Sequence, residues 1–158
     1  MATKQRLVRL SFYVQRKKNL SEEEYERHLS SHHAELCAEH LAKHGILRYT
    51  QFHTPASFQA VGESGFPGLK KMKRLPFDSS GDFLMADFAS FVKFQEDPYY
   101  LSHVFPDEAG LFEWDTACYA VGWEEVYIQD GKVVNLPYQD PTYQGPTQAT
   151  GTSSTPSN

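Results

Sequence analysis

The chain has 158 residues, of which 40% are hydrophobic and 14% aromatic, and its formal net charge is −5 at pH 7. This length and composition predict one globular domain with an aromatic-rich core and argue against an intrinsically disordered chain. The acidic balance argues against general binding to nucleic acid or to an anionic membrane, and the short basic cluster at 70–74 lies in a loop-like segment that does not change this conclusion.

Cysteine content and hydropathy indicate the cellular setting. The two cysteines, Cys37 and Cys118, cannot form a disulfide framework, and each lies in a periodic segment where a small buried apolar residue is typical. The N-terminus lacks an apolar run of signal-peptide length, and no stretch reaches the roughly 18 apolar residues of a membrane span. We therefore expect a soluble cytoplasmic protein.

The hydrophobic pattern predicts the element order β-α-β-β-α-β. Alternating apolar residues indicate strands at 7–15, 46–53 and 82–88, and a last strand or strands within 116–128. Two helical regions separate them, the first at 21–44 and the second from Ala89, interrupted at Asp97-Pro98. This order is typical of a ferredoxin-like α+β fold, with an antiparallel sheet and both helices on one face. Because several strands carry apolar residues on both faces, we expect a second copy of the chain to cover the other face in a homodimer.

Two segments fall outside this pattern. Segment 54–81 contains prolines, glycines and the basic cluster, and we interpret it as a long irregular excursion of the kind that forms binding loops and lids. Residues 135–158 are almost free of aliphatic side chains, so we divide the chain into a folded domain at 1–134 and a disordered tail at 135–158.

The helix at 21–44 carries five of the seven histidines. Ser21 and Glu24 have the spacing of a capping box, and Gly45 follows the last turn as a helix terminator. At about 100° per residue, one face of this helix collects a stripe that we expect to pack on the sheet. The stripe consists of Tyr25, Leu29, His33, Leu36 and His40.

His33 is the first candidate catalytic residue. A neutral imidazole that faces the sheet can exchange protons near pH 7, as a general acid or base must. Asp87, between apolar neighbours near the end of the third predicted strand, needs a partner, and we expect it to pair with His33. A hydroxyl group of Tyr13, Tyr25 or Tyr49 could stabilise a developing enolate oxygen as a neutral donor.

Further residues are candidates for substrate binding or for a metal. We expect His53, Tyr100 and His103 to contribute to substrate binding, together with the three tyrosines above. His28 and His32, like His40 and His44, have the i, i+4 spacing of helical zinc ligands. There is no HExxH pattern and no cysteine pair, so we expect neither a metal nor another cofactor.

Two stretches resemble the EthD-domain family of the dimeric α+β barrel superfamily. The first is RLSFYVQRKKNLSEEEYERHLSSHHAELC, in which Tyr25, Leu29 and His33 fill the aromatic, apolar and histidine places of the family's helix. The second, DFLMADFASFVKFQEDPYYLSHVFPDEAGLFEWD, is similar to the carboxylate-bearing strand and the DPYY and PDE signature. Fungal members of the family act in aromatic polyketide pathways as decarboxylases or dehydratases.

The resemblance implies a cofactor-independent lyase that decarboxylates an anthrone- or atrochrysone-type carboxylic acid. The same residues would also serve a dehydratase or a cyclase acting on a related polyketide, with His33 removing a proton and a tyrosine holding the enolate. A third possibility is a non-catalytic dimeric barrel that binds an aromatic metabolite. The sequence alone leaves these alternatives open, because a fold hosts many chemistries.

Overall fold

The computed structural model describes residues 6–137 and residue 142. Its main sheet has four strands, in the spatial order β2-β3-β1-β4, and every neighbouring pair is antiparallel. The strands are β1 (Leu7–Val14), β2 (Ile46–His53), β3 (Ser79–Met85) and β4 (Cys118–Glu124). This strand order, with the helices between the strands, confirms the predicted ferredoxin-like α+β fold.

The helical layer contains two segments in which α-helical turns are joined by a wider π-helical turn. The first segment consists of α1 (Glu22–His28), the π turn Leu29–His33 and α2 (Ala34–Lys43). The second consists of α4 (Ala89–Glu96), the π turn Tyr100–Val104 and α5 (Phe105–Leu111), while α3 (Ala56–Gly65) lies between β2 and β3. The capping box of α1 is present, with the Glu24 amide donating to Ser21 Oγ at 3.2 Å and the Ser21 amide donating to Glu24 Oε2 at 3.0 Å.

The first π turn changes which residues of the long helix face the core. The buried side chains of this helix follow one another at every fourth position: Tyr25, Leu29, His33, Cys37 and Leu41. In a regular α-helix, steps of four residues drift by about 40° around the axis, and a turn with i→i+5 bonding offsets part of that drift. The predicted stripe is therefore correct as far as His33. Beyond that point the fully buried residues are Cys37 and Leu41, whereas Leu36 is half-buried and packs against the larger core cluster, and His40 is half-buried.

The core consists of two clusters between the helices and the sheet. The larger cluster is Leu10, Cys37, Leu41, Ile46, Met85, Phe91, Phe94, Tyr100 and Val104. The smaller cluster is Val14, Tyr25, Leu29, Leu111 and Phe112. Each cluster joins β1 to both helical segments, so burial of apolar surface holds the two segments on the same face of the sheet.

Three sequence expectations about the chain path are corrected by the structure. Strand β3 begins three residues earlier than predicted and ends at Met85, because Ser79, Ser80 and Gly81 pair with β1 although they are not apolar. The excursion at 54–81 is not irregular throughout, since it contains α3 and a 3₁₀ turn at Pro67–Lys71. Cys37 is buried as expected, whereas Cys118 is exposed.

The face of the sheet away from the helices, which we call the outer face, is polar at its centre. Arg9 contacts Asp82 at 2.6 Å and Glu124 at 3.4 Å, and Arg48 also contacts Glu124. Ser80 donates to the second Asp82 oxygen at 3.1 Å. The expectation of apolar residues on both faces is therefore only partly correct: charged residues of all four strands are paired on the outer face, and Leu84 lies there between Arg9 and Arg48.

The described residues after Glu125 belong to a separate compact unit. It contains a hairpin of β5 (Ile128–Gln129) and β6 (Lys132–Val133), and Asp130 and Gly131 both have positive φ, as a type I′ Asp-Gly turn requires. The predicted tail at 135–158 lies almost entirely outside the described residues. Among the described residues, no helix combines the length and apolarity that crossing a membrane requires.

Leu41 tests the assignment of the larger core cluster. Its side chain is 1% exposed, so Leu41→Ala should lower the free energy of unfolding by about 2–5 kcal/mol through lost burial and a residual cavity. The matched control is Leu101→Ala, because Leu101 is 58% exposed on a helical turn and its truncation should change stability by less than about 1 kcal/mol. Urea unfolding followed by circular dichroism measures both, and equal losses would contradict the assigned packing.

Candidate active site

A hollow with a volume of about 40 Å³ lies between the helical layer and the sheet, next to both core clusters. Its walls are mainly aromatic and aliphatic, with a few polar groups, as is typical of small-molecule sites. The lining residues are Phe12, Val14, Leu29, His33, Tyr49, Gln51, Ser79, Ser80, Gly81, Phe83, Glu108, Phe112 and Trp114. A second, larger hollow of about 310 Å³ shares Phe12, Phe83, Glu108 and Trp114 with the first, so the two adjoin.

The π turn of the long helix brings His33 to this hollow, with its side chain 5% exposed. Its Nδ1 lies 2.8 Å from Asp107 Oδ2, and because an ionised carboxylate only accepts, Nδ1–H is the donor and Nε2 is the acceptor nitrogen. Burial lowers the pKa of His33, while the hydrogen bond to Asp107 opposes that shift. The imidazole is therefore neutral near pH 7, in the tautomer that offers a basic Nε2.

Cys37 lies one helical turn further on, with its Sγ 3.5 Å from His33 Nε2. Burial raises the pKa of the Cys37 thiol to about 12, so the group is a neutral thiol at physiological pH. The thiol is a weak donor to the imidazole and does not compete strongly for its lone pair. Cys37 is consequently not the nucleophile of this site, since only a thiolate is nucleophilic.

Asp107 lies in α5, which continues the π turn Tyr100–Val104 without a break in the helical backbone. Its Oδ2 accepts from His33, and its Oδ1 lies 2.6 Å from His28 Nε2. One carboxylate thus joins α5 to two positions of the long helix. This contact fixes both the tautomer and the orientation of the His33 ring.

Glu108, the neighbour of Asp107, lines both hollows. Its Oε2 accepts a hydrogen bond of 2.8 Å from the hydroxyl of Tyr100. Desolvation in the hollow raises the pKa of Glu108 to about 7, and the negative charge of Asp107 contributes to the same direction. Glu108 therefore changes between acid and carboxylate near neutral pH, which is the property of an efficient general acid or base.

Tyr49 supplies a neutral hydroxyl group to the same space. Burial raises its pKa, so it remains a phenol. Its Oη accepts a hydrogen bond of 2.9 Å from Gln51 Nε2, which also donates to the Leu29 carbonyl at 2.9 Å. Because the Tyr49 oxygen is already an acceptor, its own hydrogen is available for a ligand oxygen.

The structure brings some of the predicted site residues to the hollow and not others. His33 and Tyr49 line it. Tyr25 lies behind its wall, where its hydroxyl group is 2.6 Å from Ser79 Oγ. Tyr100 lines the adjoining hollow and donates its hydrogen bond to Glu108. Three others are elsewhere: Tyr13 projects from the outer face beside Phe77, His53 lies at a groove formed with α3, and His103 is exposed and stacked on Tyr99.

The predicted contact between His33 and Asp87 is wrong. Strand β3 ends at Met85, so Asp87 is exposed in the turn before α4, where its Oδ1 accepts from the Ala89 amide at 2.8 Å. Asp107 occupies the place beside His33 that Asp87 was expected to take. Asp87 acts instead as a local cap at the start of a helix.

Sequence reasoning missed both Asp107 and Glu108. Acidic residues after a proline at a helix start are common for reasons of capping and dipole, so local pattern gave them no functional meaning. The available signal was the PDE portion of the family-like motif, which contains both residues.

Comparison with known proteins adds to this geometry. A family model described as the EthD domain matches residues 17–114, a range that includes His33, Asp107 and Glu108. The chain belongs to the EthD domain family. This EthD protein is 30% identical to dehydratase aurZ of Gibberella zeae over 134 residues, which is 81% of this chain and 84% of the relative.

Other relatives carry either of two names. The EthD protein is 25% identical to decarboxylase claH of Passalora fulva, over 82% of this chain and 83% of the relative. It is 27% identical to the conidial pigment biosynthesis dehydratase EthD of Metarhizium robertsii, over 82% of this chain and 91% of the relative. A solved structure of an ethyl tert-butyl ether d (ethd) family protein from Bacillus halodurans c-125 gives a TM-score of 0.51 at 13% identity, covering 75% and 98% of the two chains, and supports the fold.

A measurement of the pKa of His33 tests whether Asp107 is its carboxylate partner. In Asp107→Asn the opposing hydrogen bond to a charged group is lost while burial remains, so the pKa of His33 should fall further below 6.5. Asp87→Asn is the matched control and should leave the His33 pKa unchanged, because Asp87 caps α4. NMR titration of the imidazole resonances measures both values. A shift in the Asp87 variant alone would contradict the assigned pair.

Proposed function

We propose that this EthD protein is a cofactor-independent lyase of aromatic polyketide biosynthesis that decarboxylates an anthrone- or atrochrysone-type carboxylic acid. The observation that carries the proposal is the convergence of Glu108 and the His33–Asp107 pair on one aromatic-walled hollow. Relatives named decarboxylase and dehydratase support a lyase. The adjoining hollows offer flat aromatic surfaces, including Phe12, Phe83 and Trp114, for a multi-ring guest.

The decarboxylation needs only proton transfers and a donor for the developing charge. His33 Nε2 accepts the proton of the substrate carboxylic acid, and the bond from the ring carbon to the carboxylate then breaks. Carbon dioxide leaves, and the bonding electrons move into the neighbouring carbonyl, where the Tyr49 hydroxyl group stabilises the enolate oxygen. The protonated Glu108 delivers its proton to the carbon. Proton exchange between the imidazolium and the Glu108 carboxylate restores both groups, with Asp107 stabilising the imidazolium meanwhile.

Dehydration is the second candidate, favoured by the relatives named dehydratases. In that reaction His33 removes the proton next to the carbonyl group, Tyr49 holds the enolate, and Glu108 protonates the departing hydroxyl group. The reaction uses the same three groups in a different order. The location of the leaving group relative to Glu108 decides between the two reactions, and this depends on the substrate.

The direct test is incubation of the purified protein with an atrochrysone-type carboxylic acid, followed by mass analysis of the products. A second incubation uses the same compound without its carboxyl group but with its hydroxyl group, from which only water can be lost. Loss of carbon dioxide from the acid supports the first proposal, whereas loss of water without loss of carbon dioxide supports the second. Saturable binding without any product would support the non-catalytic aromatic-metabolite-binding barrel instead.

Glu108→Gln should separate catalysis from stability. Turnover should fall by roughly 10²–10⁴-fold, because the amide can hydrogen-bond but cannot donate a proton to carbon. The native pKa of about 7 exceeds the ordinary value of 4.5, so wild-type protein loses stability as the pH rises through this window and the variant does not. Glu108→Gln should therefore be more stable than wild type at pH 8, by on the order of 1–3 kcal/mol, and similar to it at pH 4.5.

The control for this variant is Glu113→Gln. Glu113 pairs with Lys17 at 3.6 Å and does not line the hollow, so turnover should be retained. Turnover assays and urea unfolding at the two pH values measure the outcome. Unchanged turnover in Glu108→Gln would remove Glu108 from the mechanism, and a loss of both turnover and stability at pH 8 would indicate a structural role only.

We also propose that the protein is a homodimer formed through the outer face of the sheet. That face is not covered by the helices of the same chain, and Thr50 and Phe52 are exposed on it. Light scattering after size exclusion should give about twice the chain mass of 18.0 kDa. Thr50→Arg should shift the protein toward the monomer, whereas Glu39→Arg, on the exposed side of α2, should not. A monomeric wild type would contradict the proposal.

A further inference from the structure

A group of side chains of the types that bind metals lies at the C-terminal end of the long helix, apart from the residues that line the hollow. It consists of His40 and His44 from the end of α2 and Asp97 from the end of α4. One possible ligand atom from each of the three lies within 4.8 Å of the others. His44 Nε2 is 2.7 Å and His40 Nδ1 is 3.8 Å from the same oxygen, Asp97 Oδ2.

The Nδ1 atom of His40 is buried and has no hydrogen-bond partner among the described residues. Its distance of 3.8 Å to Asp97 Oδ2 is too long for a hydrogen bond. Leaving a buried polar atom without a partner is unfavourable. The lone pair of a neutral imidazole at this position would be satisfied by a cation lying between it and the carboxylate oxygen.

The surrounding contacts hold all three groups in place. Asp97 Oδ1 accepts a hydrogen bond of 2.8 Å from the Tyr99 amide, which leaves Oδ2 for the histidines. The His40 ring is stacked on the Tyr99 ring, with centroids 3.6 Å apart and planes 10° from parallel. The side chains of His40, His44 and Asp97 are 24%, 17% and 12% exposed, so none of them is a freely moving surface group.

We propose that His40, His44 and Asp97 bind one zinc ion. Two imidazole nitrogens and a carboxylate oxygen are a zinc donor set, with metal–ligand distances of about 2.0–2.2 Å, and a solvent molecule completes a fourth position. Tetrahedral ligands at that range lie about 3.3 Å from each other. The distances from Asp97 Oδ2 to His44 Nε2, 2.7 Å, and to His40 Nδ1, 3.8 Å, lie on either side of this value. Small side-chain rotations would therefore bring the three atoms to the metal.

One other cation lies near the same carboxylate. Lys43 Nζ is 3.7 Å from Asp97 Oδ2, but its side chain is 65% exposed and can turn into solvent when zinc binds. The bound ion would connect the end of α2 to the segment that follows α4. Its role would be to fix these two elements, because neither histidine nor the aspartate lines the hollow.

The chain contains a comparison group with the same composition. His28, His32 and Asp107 also bring their ligand atoms within 4.8 Å of one another. There, however, Asp107 is already bonded to His33, and His32 is 58% exposed. A metal at that position would compete with the contact that orients His33, and so we assign the zinc to the group at Asp97.

The experiment is a zinc titration of tag-free, chelator-treated protein by calorimetry, together with thermal unfolding. Wild type should bind one equivalent at the high-affinity step, and saturating zinc should raise the melting temperature by roughly 5 °C or more. His40→Phe keeps the aromatic stack on Tyr99 but removes Nδ1, and Asp97→Asn keeps the acceptor for the Tyr99 amide. Both should weaken zinc binding at least tenfold.

His32→Phe is the matched control, since it makes the same change on the same helix in the comparison group. It should retain the wild-type zinc affinity and the melting shift. Circular dichroism of each variant without zinc checks that it is folded. Absence of zinc binding by wild type, or loss of binding in His32→Phe with retention in His40→Phe, would overturn the proposal.

Discussion

The hydrogen bond from His33 to Asp107 is the contact on which the candidate site depends. It joins the middle of one helical segment to the last helix of the other across 74 residues of sequence. Without that carboxylate, a buried imidazole would have neither a fixed tautomer nor a counter-charge for its protonated form. The aromatic walls provide space and exclude water, whereas the hydrogen bond to Asp107 determines which nitrogen of His33 accepts a proton in the hollow.

The hollow is a gap in the packing between the helices and the sheet. Two core clusters hold the helices on the sheet, and the space beside them is lined by Glu108, whose ionisation is unfavourable there. An acidic group with a pKa near neutrality is useful to an enzyme and costs stability when it is ionised. Glu108, whose ionised form is disfavoured by burial, thus lies where the proposed reaction transfers a proton.

Local sequence patterns predicted the element order, the capping box and the inward position of His33, because each depends on residues close together in the chain. They did not predict Asp107 as its partner, because that contact depends on how two distant segments pack. The end of β3 shows the same limit. An alternating apolar pattern extended the strand over Asp87, whereas pairing with β1 and β2 begins at three small residues and ends at Met85. The periodicity of apolar residues predicts that a strand has a buried face. The pairing register with the neighbouring strands determines where the strand begins and ends and which residues lie on that face.

The π turn at Leu29–His33 has a consequence for how such a protein can change over generations. A turn of this kind holds one more residue than an α-helical turn, so a single-codon deletion within it would yield an ordinary helix of similar length. The chain would still have its sheet and much of its apolar packing. If the deleted residue lay between Leu29 and His33, these two would stand three residues apart, which in an α-helix keeps them on the same face, so the inward position of His33 would survive the deletion.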